Sequence, residues 1–452
     1  MTKLILTLFT VLSSLILLKV TLGKKVNFFV ALHLYLFLLI FFVYQLISSF
    51  IIDPQFDWNL LLLVTILLLF YIIIFLFLSS TRLIRKSLIS HDKLFLIVKE
   101  LINKRFLFSI IIISIFFKLY LLFHYGIFYK KVYFREVLGV PYYIEVVDML
   151  LAYPTIGAFL VYLISLIIKV DVSRVMKFFI SGLCIFFYLF YFYFLEFSGG
   201  VRRGTIFLAI IILLTIAYSK EYKKWGIKSY IAVILILFIT GLTSTQYIKT
   251  RGVEYKVHNL SEYFAISKEK TANIKENIEQ REGCLLLLYN IIKAQVIDHK
   301  TANSLLILQA IRNAMPRFLR PQVVNLDEIV VSAYDLPLIY DPKDVDIATN
   351  ILSILQSDLY FAAYFTLPLI YLMLMIFYSH IVLNYYKKSI FISLCGIGFI
   401  FLTAFHIEES LEIFFIDFRN FLVLLSIGYL LLGIKIILKK GTSKSIPICT
   451  RT

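Results

Sequence analysis

Side chains that could perform chemistry are concentrated in three short polar stretches of this sequence. The first stretch, SGGVRRG, places Arg202 and Arg203 among glycines at the start of a predicted helix. Two guanidinium groups beside backbone N–H groups form a good phosphate site, because both supply hydrogen-bond donors and positive charge. The alternative is that the two arginines only anchor a helix at the lipid headgroups.

The second stretch, IRNAMPRFLRP, contains Arg312, Arg317 and Arg320 within nine residues. These arginines lie beside a predicted helix end, where they could hold an anionic lipid headgroup. The alternative is that they contact solvent or lipid without binding a particular ligand. Arg251 is a weaker candidate for the same phosphate-binding role.

The third stretch, HIEESLEIFFIDFRN, contains a histidine, four carboxylates and an arginine. A carboxylate or an imidazole here could take the proton from a hydroxyl nucleophile. We assign that role to Glu409, with His406 as its substitute, and include Arg419 among the candidate catalytic residues. The alternative is that the carboxylates only solvate a loop.

Several familiar catalytic signatures do not occur in the sequence, among them GxxxxGK[ST], HExxH, GxSxG and GxGxxG. ATP hydrolysis by this chain is therefore not expected. No CxxC pair or His/Cys cluster indicates a metal site, so neither a metal nor a cofactor is predicted. A secondary transporter is less well supported than an enzyme, because few ionisable residues lie within the hydrophobic segments.

The elements that must position these stretches are hydrophobic segments of membrane-spanning length. Of the 452 residues, 61% are hydrophobic and 16% are charged, too apolar a composition for a soluble domain of this size. We predict an all-α polytopic membrane protein with about eleven transmembrane helices. The predicted segments are roughly 4–22, 26–52, 59–79, 106–123, 149–168, 178–195, 204–219, 229–247, 358–383, 389–405 and 420–438.

The distribution of positive charge predicts the orientation of these segments. The net charge of +17 lies mostly in alternate short connections, which marks those connections as cytoplasmic and not as a nucleic-acid surface. The C-terminus is then inside, and the N-terminus is outside. The chain divides into residues 1–247 with eight helices, an extracytoplasmic loop at 248–357, and residues 358–452 with three helices and a cytoplasmic tail.

Helical periodicity within the large loop predicts that it is partly folded. A second loop helix should begin near Thr301 or Asn303 and be ended by Pro316 and Pro321. The apolar-striped loop should lie on the bilayer surface as a lid or cradle. That stripe consists of Leu305, Leu308 and Ile311, and the first loop helix carries Leu285, Leu288, Tyr289, Ile292 and Val296.

Residues 92–104 are also predicted to form an amphipathic helix, lying at the cytoplasmic interface of the membrane. Its apolar face consists of Leu94, Ile97, Val98, Leu101 and Ile102.

At these positions the chain resembles the Wzy-type O-antigen and oligosaccharide repeat-unit polymerases. The resemblance rests on the many-helix frame and on three motif-level features in the outer loops. The motif residues are Gly199, Gly200 and Arg202; Pro316, Leu319 and Pro321; and Glu409 with Arg419 before the last helix.

The resemblance implies a metal-independent glycosyltransferase of the bacterial cytoplasmic (inner) membrane, acting in O-antigen, lipopolysaccharide or capsule synthesis. Its partners would be a polyprenyl-pyrophosphate-linked oligosaccharide donor, a similar acceptor and membrane lipids. A chain-length regulator is a further candidate partner. An O-antigen ligase and a polysaccharide or lipid flippase remain as alternatives. A multi-pass sensor is disfavoured.

Overall fold

A computed structural model describes residues 1–43, 46, 56–125, 141–170, 173–186, 201–219, 284–302, 305–315, 319, 326–334, 350–405 and 411–442. Across these ranges the chain is helical and contains no β-strand. The helices are α1 (Thr2–Leu22), α2 (Phe28–Leu38), α3 (Trp58–Ser80), α4 (Arg82–Ser87), α5 (His91–Leu101), α6 (Arg105–Tyr125), α7 (Tyr142–Ile167), α8 (Arg174–Phe186), α9 (Val201–Ser219), α10 (Cys284–Val296), α11 (Leu306–Ala314), α12 (Leu326–Ala333), α13 (Ile351–Leu359), α14 (Ala363–Tyr385), α15 (Ile390–Phe405) and α16 (Leu411–Thr442).

Five stretches of the described chain are helical, long and apolar enough to cross a membrane. The described chain therefore has the all-α, membrane-embedded character expected from its composition. The segment predicted at 229–247 lies outside the described residues. The five stretches are Thr2–Leu22, Trp58–Ser80, Val146–Ile167, Ile351–Tyr385 and Leu411–Ile437.

Helices α7 and α15 cross at the centre of the bundle with their backbones in close contact. A Cβ atom added at Gly157 would lie 2.0 Å from the carbonyl oxygen of Leu394, and one added at Gly398 would lie 2.6 Å from that of Tyr153. Small residues permit this approach, which brings many atoms of the two helices within van der Waals range. The two glycines therefore set the distance between the two helices.

One end of the bundle is organised around Tyr218, near the end of α9. Its carbonyl accepts a hydrogen bond from the Lys24 ammonium group, and its hydroxyl donates to the Val26 carbonyl at 2.8 Å. The His91 ring packs edge-on against Tyr218, with centroids 5.3 Å apart. These contacts join the end of α9 to the start of α2 and of α5.

The same end includes the later part of α14. The side chain of Asn27 donates to the Ile89 carbonyl at 2.8 Å, and the Ile89 N–H donates to the Ser379 hydroxyl at 3.2 Å. This region is called the lysine end below, after Lys24, Lys99, Lys104, Lys387 and Lys388.

Helices α10 to α13 cover the opposite end, which is called the loop end. The side chain of Gln356 donates to Gln295 at 2.8 Å, and Gln295 donates to the Tyr334 hydroxyl at 3.2 Å. This buried network joins α13 and α10 to the residue that follows α12. The unit is attached to the start of α3, where the Asp57 N–H donates to the Tyr289 hydroxyl at 2.7 Å. The large loop is therefore partly helical and packed, as its periodicity predicts.

Helix α5 matches the predicted amphipathic helix, but protein covers its apolar face. Leu94, Ile97, Val98 and Leu101 are all buried, and the helix packs against α7. The N-terminus is capped by Ser90, whose hydroxyl accepts from the Lys93 N–H. The periodicity identified the correct face, and that face contacts the bundle instead of bare lipid.

Candidate functional site

Helix α11 carries the first arginine of the second polar stretch, and a distant carboxylate caps its N-terminus. The first N–H groups of a helix have no partner within it. Here Asp358, at the end of α13, accepts from the Leu306 N–H at 3.2 Å and from the Ile307 N–H at 2.7 Å. The helix begins at Leu306, so the predicted start near Thr301 or Asn303 is wrong. The cap comes from another helix, which local sequence could not indicate.

The other end of α11 is attached to the beginning of α16. Arg419 donates from Nη1 to the Ala314 carbonyl at 2.6 Å, which satisfies a helix C-terminal acceptor. The buried side chain of Asn313 donates to Glu412 Oε2 at 3.1 Å. Glu412 and Arg419 are seven residues apart and therefore share one face of α16, the face against α11. The structure thus brings the second and third polar stretches together.

The Arg419 guanidinium group is half-buried and is mainly engaged with protein. Besides its bond to Ala314, it donates from Nε and Nη2 to the Asn420 side-chain oxygen, at 3.2 and 3.0 Å. Three of its five N–H groups therefore have partners in the chain. In this geometry Arg419 is a positioning residue that fixes α11 on α16.

Asp417, on another face of α16, connects the site to the central crossing. Its carboxylate accepts a hydrogen bond from the Tyr153 hydroxyl of α7. The Tyr153 ring stacks on Phe399 of α15, with centroids 4.1 Å apart. The first turns of α16 therefore pack on the two helices that form the tightest contact in the described bundle.

The outward face of α11 combines an apolar row with a cation. Leu305 and Leu308 are 68% and 59% exposed, and Arg312 is also exposed. The buried face is made of Leu306, Ala310, Asn313 and Ala314. The apolar row predicted to meet the bilayer is therefore uncovered by protein, and it continues at Ile311, Met315 and Leu319.

The first polar stretch is described from Val201 onward, where α9 begins. Arg202 and Arg203 lie in the first turn of this helix. The last turn, with Tyr218, is at the lysine end, and α9 packs against α2, which runs the opposite way. A helix of this length rises by about 28 Å. Its first turn is therefore directed toward the loop end, where α11 lies.

The remaining candidate site residues lie outside the described residues. They are Arg251, Arg317, Arg320, His406 and Glu409. Their assigned roles remain predictions. Arg317 and Arg320 follow α11 by a few residues, and His406 and Glu409 lie between α15 and α16.

Two buried polar pairs were missed by the sequence analysis. Lys118 of α6 and Asp148 of α7 form an ion pair at 2.8 Å, with side chains only 4% and 5% exposed. His33 of α2 shares a hydrogen bond of 2.6 Å with the Tyr71 hydroxyl of α3. A carboxylate at the edge of an apolar segment was the available signal for the first pair, and a lone histidine within such a segment was the signal for the second.

No protein-family model, curated protein or solved structure matches this chain.

Proposed function

We propose that the protein is a membrane glycosyltransferase that polymerises lipid-pyrophosphate-linked oligosaccharide repeat units, without a metal ion. One observation carries the proposal: α11 presents Arg312 beside an uncovered apolar row and is fixed to the acidic first turns of α16. A lipid diphosphate needs both a cationic and an apolar surface. The same helix pair leads into the stretches that contain Arg317, Arg320, His406 and Glu409.

In the proposed reaction, a sugar hydroxyl of one lipid-linked unit attacks the anomeric carbon of another. A carboxylate or imidazole, assigned to Glu409 or His406, takes the hydroxyl proton. The bond from the anomeric carbon to the diphosphate breaks, and the lipid diphosphate leaves with the bonding electrons. Arg202, Arg203, Arg312, Arg317 and Arg320 stabilise the charge that develops on the leaving group.

The proposal includes a membrane topology. Eleven spans place the loop end, with residues 248–357, outside the bacterial cytoplasmic membrane, and the C-terminus inside. The concentration of lysines at the opposite end of the bundle supports this orientation.

The first test compares Arg312→Ala with Lys293→Ala in a strain that depends on this protein for its surface polysaccharide. Both residues are exposed cations of the large loop, but Lys293 lies on α10 and not on α11. Arg312→Ala should shorten the polysaccharide chains and Arg202→Ala should abolish long chains, while single repeat units persist. Lys293→Ala should leave the chain-length distribution unchanged. Protein level in the membrane is measured in parallel.

Full-length polysaccharide from both arginine variants would contradict the assignment. Accumulated lipid-linked polymer, in place of single units, would identify an O-antigen ligase. The decisive measurement uses purified protein in liposomes with lipid-linked repeat units, and new glycosidic bonds are detected by mass spectrometry.

A flippase for the same lipid-linked units is the second candidate, and the buried polar pairs favour it. Ionisable groups inside a membrane domain are costly and commonly mark a transport pathway. Asp148→Asn leaves Lys118 without its buried carboxylate. If the protein is a flippase, this change should slow transfer of fluorescent lipid-linked units across a liposome bilayer, and no new glycosidic bond should form with any variant.

A further inference from the structure

The lysine end contains a cavity that the proposed reaction does not use. It has a volume of about 720 Å³ and lies between the end of α5, the start of α6, the turn joining α14 to α15, and the later part of α16. The lining residues from these four elements include both lysines and apolar side chains. This combination indicates which kind of molecule the cavity fits.

The charged residues of the cavity make it strongly basic. Five lysines line it against a single acidic residue, Glu100. The closest pair is Lys387 with Glu100 at 3.9 Å, and these side chains are 66% and 38% exposed, so the pairing is weak. The lysines therefore outnumber the carboxylates of the lining by five to one, which favours an anionic ligand. The lysines are Lys99, Lys104, Lys387, Lys388 and Lys435.

The cavity is also lined by apolar side chains. Phe106, Phe391 and Leu431 line it, and Leu431 is half-exposed. Along α16 the apolar exposure continues at Leu430 and Ile437, which are 65% and 70% exposed. A small soluble anion would use only the lysines. A molecule with an anionic head and a hydrocarbon chain would use both the lysines and the apolar side chains.

We propose that this cavity binds the headgroup of an anionic phospholipid, with the acyl chains lying along α16. The recognised chemistry is a phosphate group held by several ammonium groups at the membrane surface, where each nearby lysine contributes about fivefold in affinity. The site is separate from the proposed pyrophosphate site, which lies at the opposite end of the bundle. It does not depend on the proposed reaction.

The test uses the purified full chain in phosphatidylcholine nanodiscs, with cardiolipin or phosphatidylglycerol added in steps. Binding is measured by native mass spectrometry. The double variant K387Q/K388Q should lower the affinity for cardiolipin about 25-fold. The matched control, K86Q/K93Q, removes the same charge from exposed lysines of α4 and α5 outside the cavity, and its affinity should equal that of the unmodified protein.

A second variant keeps the test decisive if the double variant does not fold. Glu100→Gln removes the cavity's one carboxylate and should raise the affinity for cardiolipin about two- to fivefold. Equal loss of affinity in the cavity and control variants would overturn the proposal in favour of general surface attraction. Displacement of the lipid by millimolar inorganic phosphate would also overturn it, by identifying a soluble anion as the ligand.

Discussion

Helices α5 and α11 are both short and amphipathic, but their apolar residues have opposite surroundings. In α5 the apolar face is buried against α7, and its residues belong to the core of the bundle. In α11 Leu308 and Ile311 are exposed, while the face against the protein consists of Leu306, two alanines and Asn313. Burial of hydrocarbon holds α5 in place, whereas hydrogen bonds at both ends hold α11.

This difference separates a structural helix from one that presents a surface. A helix attached by its apolar face has no such face left for a ligand. A helix attached by Asp358 and Arg419 at its two ends keeps its apolar row and Arg312 available. The arrangement of α11 is suited to a lipid-linked ligand, and the arrangement of α5 is suited to supporting the bundle.

The most damaging change should be Gly157→Ala, because α7 and α15 support both helices. Helix α5 packs on α7, and α11 packs on α16, which in turn packs on α7 and α15. Its Cβ would meet the Leu394 carbonyl oxygen at 2.0 Å, so α7 and α15 must separate. We expect little folded protein, because overpacking between backbones costs more than about 3 kcal/mol in the worst cases. The yield of monodisperse protein in detergent measures the effect.

Gly182→Ala is the matched control for that change. A Cβ at Gly182, in α8, meets nothing within 4 Å. Alanine there should preserve or slightly raise the thermal stability, because alanine favours helix by about 1 kcal/mol over glycine. Equal yields for the two alanine variants would contradict the close crossing of α7 and α15.

The contrast between the helices themselves is tested by Ile97→Ala and Leu308→Ala. Loss of the buried Ile97 side chain should cost about 2–5 kcal/mol. Loss of the exposed Leu308 side chain should change stability by less than about 0.5 kcal/mol. Under the proposed function, Leu308→Ala should nevertheless lower the rate with lipid-linked substrate. Thermal unfolding in detergent and the liposome polymerisation assay give the two readouts, and a larger stability loss at Leu308 would reverse the comparison.

The sequence predicted both helices and their apolar faces, but it could not predict what each face contacts. Periodicity fixes which residues share a face, and that much is confirmed for Leu94 and Ile97. Whether protein covers a face depends on contacts between distant segments, such as that of Asp358 with Leu306. The proximity of Glu412 to Asn313, across 99 residues, is of the same kind. Those pairings have no local signal.

Breaking the C-terminal attachment of α11 with Arg419→Ala should have a moderate effect. The Ala314 carbonyl and the buried Asn420 side chain both lose a charged donor. Such losses cost about 1–3 kcal/mol when the partner stays buried, and less where water can enter. Amide hydrogen exchange should accelerate in α11 and remain unchanged in α5. Unchanged exchange in α11 would show that Arg419 does not hold it.

A smaller loss of stability than that of Arg419→Ala is expected from Asp358→Ala, which removes the cap at the other end of α11. Two N–H groups lose their acceptor, and loss of a helix cap costs about 1 kcal/mol. The exposed residue Asp298 provides the control, since Asp298→Ala removes the same charge from the segment after α10. Hydrogen exchange at Leu306 and Ile307 should quicken only in the Asp358 variant. Because Arg419 still holds the far end, α11 should fray from its start, and the double variant with Arg419→Ala should lose protection along its whole length. Equal protection in the double variant and the parent would mean that burial of Leu306 and Ala310 alone suffices to hold the helix.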